Sequence, residues 1–156
     1  MKNILLAGAL AALAALPLAG PAAAQDIRVE GAYAVVANPM SGAAYMVIRN
    51  EGSTPDRLTG AESPVAKRTE LHGHEMSDGI ARMRAIDEGL PLPPGGSAVL
   101  ERGGLHLMFM GLAAPLQDGE TIPVTLQFES GARIALELRV TPQHAGEIPP
   151  PAPQNP

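Results

Sequence analysis

The chain has 156 residues, a formal net charge of −5 and no cysteine. Its length suits one domain, and an acidic balance without a basic run argues against nucleic acid or anionic membranes as partners. Without cysteine, a disulfide framework, thiol chemistry and blue-copper electron transfer, which needs a Cys ligand, are excluded.

Residues 1–24 have the organisation of a cleavable secretory signal. Lys2 supplies positive charge, residues 4–18 are almost wholly apolar, and the alanines at 22–24 fit the small-residue rule for cleavage. The apolar run is too short and wrongly flanked for a membrane span, and a lipid anchor would need a cysteine. We therefore expect an exported mature chain that starts at Gln25, with no stable membrane insertion; a retained, uncleaved anchor is the alternative.

Residues 25–140 predict a single β domain. Turn dipeptides such as Glu51-Gly52 and Asp118-Gly119 separate nine short segments rich in β-branched and other apolar residues. Ser130-Gly131 lies between the last two segments, which alternate with period two and therefore predict a hairpin. Nine short strands without a helical period indicate an all-β fold, an antiparallel β-sandwich. The predicted strands are 27–36, 44–48, 57–61, 67–74, 80–86, 98–102, 105–110, 121–128 and 133–140.

The last sixteen residues, 141–156, contain six prolines and few apolar side chains. This composition cannot build a core and predicts a flexible Pro-rich tail. The predicted organisation is thus a signal at 1–24, a β-sandwich at 25–140 and a tail at 141–156. The signal holds one of the eleven basic residues and none of the sixteen acidic ones, which leaves a mature net charge of −6.

Four side chains form a candidate metal site: His72, Met83, His106 and Met108. Ten residues separate His72 from Met83, twenty-two separate Met83 from His106, and Met108 stands two places after His106. Two imidazoles and two thioethers without a carboxylate suit monovalent copper, because thioether sulfur is a soft, neutral donor that competes poorly for zinc, calcium or magnesium.

Strand alternation predicts how one half of this site is built. Residues two apart share a face of a strand, so His106 and Met108 can point at one ion from a single rigid strand. Met110 shares that face one step farther along, and we do not count it as a ligand. The intervening side chains are predicted to enter the core: Leu105, Leu107 and Phe109.

Three further donors are candidates for an auxiliary site. His74 and Met76 share a face with His72 if the segment is extended, and His144 in the tail is the remaining imidazole. Nitrogen and oxygen donors suit Cu(II) better than thioethers do, so these residues could add a Cu(II) site. The alternative is that they are solvated side chains without a metal role, since an isolated methionine more often serves packing.

At these residues the chain resembles the PCuAC family of periplasmic copper(I) chaperones, whose pattern is H(M)-x10-M-x21-H-x-M. His72 and Met83 stand at the first two ligand positions, and His106 and Met108 form H-x-M. The second gap is one residue longer than the usual pattern, and Gly73 stands where the pattern sometimes has methionine. Further stretches look similar to the family over roughly 27–140: 42–50, 76–79, 90–96 and 103–112.

The resemblance implies a cupredoxin-like β-sandwich that binds one Cu(I) through two His and two Met at one end. It implies a monomeric, non-enzymatic copper chaperone of the periplasm that serves copper homeostasis. Its partners would be copper-accepting or thiol-bearing assembly proteins, for the copper centres of cytochrome c oxidase. Three alternatives stay open: a copper-sequestering resistance protein, a copper-dependent oxidase or monooxygenase, and a metal-free structural or adhesion module.

Overall fold

The computed structural model describes residues 26–77 and 79–142, apart from the side chains of Ser77 and Ala81. The predicted signal and nearly all of the predicted tail, including His144, lie outside the described residues. The described chain is all β, with ten strands. They are β1 (Ile27–Asn38), β2 (Ser41–Asn50), β3 (Asp56–Glu62), β4 (Ala66–Ser77), β5 (Ile80–Ala85), β6 (Leu90–Leu92), β7 (Ser97–Leu100), β8 (His106–Leu112), β9 (Thr121–Phe128) and β10 (Arg133–Thr141).

Nine of these strands correspond to the nine predicted ones, and the tenth, β6, was missed. It has three residues with Pro91 at its centre, and it pairs only with β3 at the edge of the sheet. Proline lacks the N–H that a central strand must donate, so an edge is the place where a strand can contain it. The last strand also runs to Thr141, one residue beyond the predicted end of the domain.

The strands form one hydrogen-bonded path in the order β5-β4-β8-β2-β1-β10-β9-β3-β6, with β7 also paired to β2. The predicted antiparallel all-β sandwich is confirmed: neighbours run antiparallel, with the single exception in this path of β1 and β10, which are parallel. The sheet folds over on itself as a sandwich, since strands far apart in this order contribute side chains to the same core. Leu107 and Phe109 of β8 belong to the same buried cluster as Leu126 of β9 and Leu58 of β3.

The predicted hairpin of β9 and β10 is confirmed. The two strands pair antiparallel from Thr121↔Arg139 to Gln127↔Arg133. Alternate side chains of β9 are buried in the core, and Gly131 supplies the positive φ of 86° that the connecting turn needs. Within residues 26–77 and 79–142, no helix is long and apolar enough to span a membrane.

Strand β8 divides its side chains between the core and the opposite face of the sheet. Leu107 and Phe109 are wholly buried in the core, as the alternation predicts. His106 and Met108 therefore project from the other face, toward β4 on one side and β2 on the other. The buried side chains of Leu107 and Phe109 therefore fix the position of β8, and with it the positions of His106 and Met108.

Candidate metal centre

His72 and His106 face each other across β4 and β8. They are direct antiparallel partners, so their side chains leave the same face of the sheet. Their ring centroids lie 5.9 Å apart. His106 is only 3% exposed, and the side chain of His72 is 13% exposed. The sheet thus brings together two imidazoles that are thirty-four residues apart in the chain.

Met108 lies on the same face, two residues beyond His106. Its cross-strand partners are Glu70 on β4 and Ala43 on β2. Ala43 is a small, buried neighbour, which leaves room on this face for the thioether. His72, His106 and Met108 are therefore grouped by register alone.

Met83 occupies the outermost strand, β5, at the end of the sheet path. Its direct partner is His74 rather than His72, and 49% of its surface is exposed. On the spacings of a regular flat sheet, the backbones of Met83 and Met108 are roughly 16 Å apart. Both sulfurs can meet one ion only if the β4–β5 hairpin curls over this face.

Hydrogen bonds determine which nitrogen of two imidazoles is free. The Nδ1 atoms of His106 and His74 both lie 3.2 Å from the carbonyl oxygen of Gly104. A carbonyl can only accept, so each Nδ1 carries the proton and donates it. In the neutral rings, the Nε2 lone pairs of His74 and His106 are then available to a metal.

His72 has the opposite arrangement. Its Nε2 donates to Oε2 of Glu70 at 3.1 Å, while the other oxygen of Glu70 pairs with Arg68 at 3.1 Å. Nδ1 of His72 is buried and has no hydrogen-bond partner. A buried polar atom without a partner is costly unless a ligand satisfies it, so this nitrogen fits a bound metal ion.

Burial lowers the pKa of His106 below its ordinary value of 6.5. The neighbouring imidazoles of His72 and His74 lower it further, and the hydrogen bond to Gly104 acts in the opposite direction. The ring is therefore neutral at neutral pH, which is the form that binds metals.

In the metal-free protein, we expect the ring protons of His106 to titrate with a midpoint below pH 6.5. As the pH falls through 6.5, His106 of the unfolded chain therefore takes up a proton before His106 of the folded chain does. The His106 contribution to the free energy of unfolding is present above that pH and is lost as the pH falls below it. NMR titration of the assigned ring resonances measures this directly, and a midpoint at or above 6.5 would contradict it.

An aromatic and cationic wall closes the β2 side of the site. The Tyr45 ring lies 6.3 Å from the His106 ring, and the guanidinium of Arg102 lies 5.5 Å from the Tyr45 centroid. Burial raises the pKa of Tyr45, against the opposing effect of Arg102. The sequence motif does not mark Tyr45, Arg102 or Gly104 as parts of the site. Tyr45 could have been predicted, because it lies on β2 beside His106 on the same face of the sheet. The Gly104 carbonyl could not, because no residue pattern identifies a backbone acceptor.

Gly73 points away from the imidazoles. A Cβ built there would lie 3.0 Å from Cδ1 of Ile86 and 3.3 Å from Cδ2 of Leu105. The backbone approaches these apolar side chains closely, as expected for a glycine in a strand. A methionine at this position would start from the face opposite His72 and His74.

The auxiliary candidate Met76 and the uncounted Met110 both lie away from the imidazole pair. Met76 is 68% exposed at the far end of β4, and Met110 is on the face of Met108, with its sulfur 3.9 Å from Arg68. In residues 26–77 and 79–142, no three His, Asp or Glu side chains are arranged as a metal cage. A metal site on this face therefore needs either the methionine sulfurs or a small movement of the imidazoles.

The chain is similar in sequence to one known protein of undetermined function and in fold to solved copper-bound structures. The chain is 35% identical over 109 residues to "Putative lipoprotein Lxx21020" of Leifsonia xyli subsp. xyli, covering 70% of this chain and 66% of that protein, slightly under two thirds of its length. It is 35% identical to the solution structure of CuI-DR1885 from Deinococcus radiodurans, with a TM-score of 0.59 over 77% of this chain and 83% of that one. The copper-bound PCuAC domain from PmoF2 shares the fold, with 21% identity and a TM-score of 0.62 over 75% of this chain and 93% of that domain.

A family model places the chain more directly. The model described as "Putative lipoprotein LpqE-like" matches residues 24–140. This range covers the ten strands except Thr141, the last residue of β10, and it contains every candidate ligand on the imidazole-bearing face. The chain therefore belongs to the LpqE-like family.

Proposed function

We propose that this protein binds one Cu(I) ion through His72, Met83, His106 and Met108 and passes it to a partner protein. The observation that carries the proposal is the facing pair of His72 and His106, with a thioether two residues along β8. Each imidazole has one nitrogen engaged by an oxygen and the other free. Outer hydrogen bonds of this kind fix the ring orientation of metal-binding histidines.

The donor set supports the monovalent ion. Two imidazoles and two thioethers are all neutral, so they favour an ion with a single positive charge over one with two. Soft sulfur also prefers Cu(I) to harder divalent ions. The similarity to DR1885, whose solved form carries CuI, supports the same metal here. Copper is cargo in this proposal, and the protein's own part is to bind it, orient it and shield it from water.

Differences in exposure support transfer rather than permanent storage. His106 is buried, whereas Met83 is half exposed on an edge strand. A partner can therefore reach Met83 first and replace the ligands one at a time, without releasing free copper. A protein that only sequesters copper would have no need for an accessible ligand.

The apolar N-terminal segment and the lipoprotein description of a relative support a proposed cellular setting. We propose export to the periplasm through residues 1–24, and delivery to thiol-bearing assembly proteins for cytochrome c oxidase. The curated relative is described as a lipoprotein, but this sequence has no cysteine to carry a lipid. We propose that the protein carries copper and does not catalyse a reaction, because the donor set and the exposed Met83 suit binding and transfer of the ion.

X-ray absorption of the Cu(I)-loaded protein tests the ligand set. We expect about two sulfur and two nitrogen neighbours, because the proposed set contains two thioethers and two imidazoles. Met40→Ala is the matched control, since Met40 is an exposed methionine in the β1–β2 turn, and its spectrum should equal that of the parent. A spectrum without sulfur would refute the proposed site.

A further inference from the structure

We propose that an open cleft between the β4–β5 hairpin and the turn before β8 binds a basic, apolar segment of the protein that accepts the copper. This hairpin cleft has a volume of about 520 Å³ and is lined by residues 73–75, 84–88 and 104–105. The inference rests on the proposed function for the nature of the partner, and it adds where that partner binds. Neither a metal ion nor a movement of any side chain is needed to form the cleft.

The floor of the hairpin cleft is apolar. Ile86 and Leu105 line it, and both are partly buried and pack against the main core. Gly73 brings the β4 backbone close to them, since a Cβ built there would lie 3.0 Å from Cδ1 of Ile86 and 3.3 Å from Cδ2 of Leu105. A concave surface that is mostly apolar, with a few polar groups, is the usual form of a binding pocket. The floor therefore suits an aliphatic side chain.

The rim of the hairpin cleft carries negative charge that is not neutralised. Asp87 and Glu88 are exposed, and neither carboxylate has an ion-pair partner in the part of the chain that the structure describes. Arg57 donates at 3.0 Å to the backbone carbonyl of Glu88 rather than to its carboxylate. The other two charged residues of the lining, Glu75 and Arg84, pair with each other at 2.6 Å. Two carboxylates are therefore left for a bound cation.

Charge complementarity selects a basic occupant. Opposite charges that meet across an interface speed the encounter and suppress wrong partners, so two carboxylates beside an apolar floor match an arginine or lysine next to an aliphatic residue. The whole chain has a net charge of −5, which attracts a basic protein at long range and repels a second copy of this chain. Residues 143–156 contain Glu147 and no lysine or arginine, so they do not supply the complementary charge.

The hairpin cleft also borders the proposed copper site. Its lining includes His74, which is the cross-strand partner of Met83. It also includes Gly104, whose carbonyl accepts from Nδ1 of His106. A partner bound here lies beside the hairpin that carries the half-exposed Met83. Its own copper-binding side chains are then close to the first ligand that they would replace.

An NMR titration of the copper-free full chain tests this proposal with a short peptide of alternating leucine and arginine, blocked at both ends. We expect saturable shifts of the methyl resonances of Ile86 and Leu105 and of the Gly73 amide. Matched peptides with glutamate for arginine, or alanine for leucine, should bind at least about fivefold more weakly, because they lose the charge pairs or the apolar contact. Raising the salt concentration from about 0.05 M to about 0.5 M should also weaken binding, because salt screens exposed charges.

Two double variants separate the rim charges from the net charge of the chain. Asp87→Asn with Glu88→Gln removes both rim carboxylates and should weaken binding of the leucine–arginine peptide at least about fivefold. Asp118→Asn with Glu137→Gln is the matched control, since these exposed residues lie outside the cleft lining and their loss changes the net charge equally. The control should bind the peptide as the parent does.

Equal weakening in both double variants would overturn the proposal, because only the net charge would then matter. Shifts centred outside the hairpin cleft, or equal binding of the glutamate peptide, would overturn it as well. Dimerisation of the chain that shifts the same resonances as its concentration rises would assign the cleft to a second copy instead of a partner. All these measurements are made without copper, so they can fail or succeed independently of the four proposed Cu(I) ligands.

Discussion

Replacing both Met83 and Met108 by alanine is expected to weaken Cu(I) binding at least about 100-fold, because loss of an outer hydrogen-bond partner alone costs 10–100-fold at metal sites. The variant keeps both imidazoles, but two nitrogens alone are a poorer match for a soft monovalent ion. The single variants should differ. Met108 is held beside His106 by β8, whereas Met83 must be carried over by the β4–β5 hairpin, so Met108→Ala should lose more affinity than Met83→Ala.

Competition with a chromogenic Cu(I) chelator under anaerobic conditions measures these affinities. Met40→Ala is again the matched control, because it removes an exposed methionine from the β1–β2 turn. Unchanged affinity in the double variant would refute the proposed donor set. Equal losses in the two single variants would indicate that the hairpin is already closed over the face in solution.

Replacing Phe109 by alanine is expected to lower the free energy of unfolding by about 3–5 kcal/mol, the usual cost of truncating a buried aromatic side chain. Phe109 is wholly buried and is among the largest side chains of the core. It also lies on β8 between Met108 and Met110, so its packing anchors the strand that presents His106. The loss is a large share of the 5–15 kcal/mol that stabilises a typical domain.

Chemical denaturation of the metal-free variant and parent measures this difference. Met40 is 60% exposed. Met40→Ala should therefore change the free energy of unfolding by no more than about 0.5 kcal/mol, as is usual for surface substitutions. A Phe109→Ala loss as small as that of Met40→Ala would mean that the core relaxes around the cavity and that β8 is held by other contacts.

Local residue patterns were enough to predict nine of the ten described strands and the two faces of β8. Period-two alternation is a local property of the chain, so it assigned Leu107 and Phe109 to the core and His106 and Met108 to the opposite face. Turn residues such as Ser130-Gly131 located the β9–β10 hairpin for the same reason. Edge strand β6 was not predicted, because it has only three residues with Pro91 at its centre and therefore shows no strand pattern.

Which donor side chains lie opposite each other depends on how the strands pair in three dimensions. Register between β4 and β8 is set by the packing of whole strands, and it places His72 opposite His106, while the β4–β5 register places His74 opposite Met83. Residue spacing along the chain carries no information about such cross-strand partners. The role of the Gly104 carbonyl could not be predicted from the sequence either, because every residue has a backbone carbonyl. Its position beside two imidazoles depends on how the sheet folds.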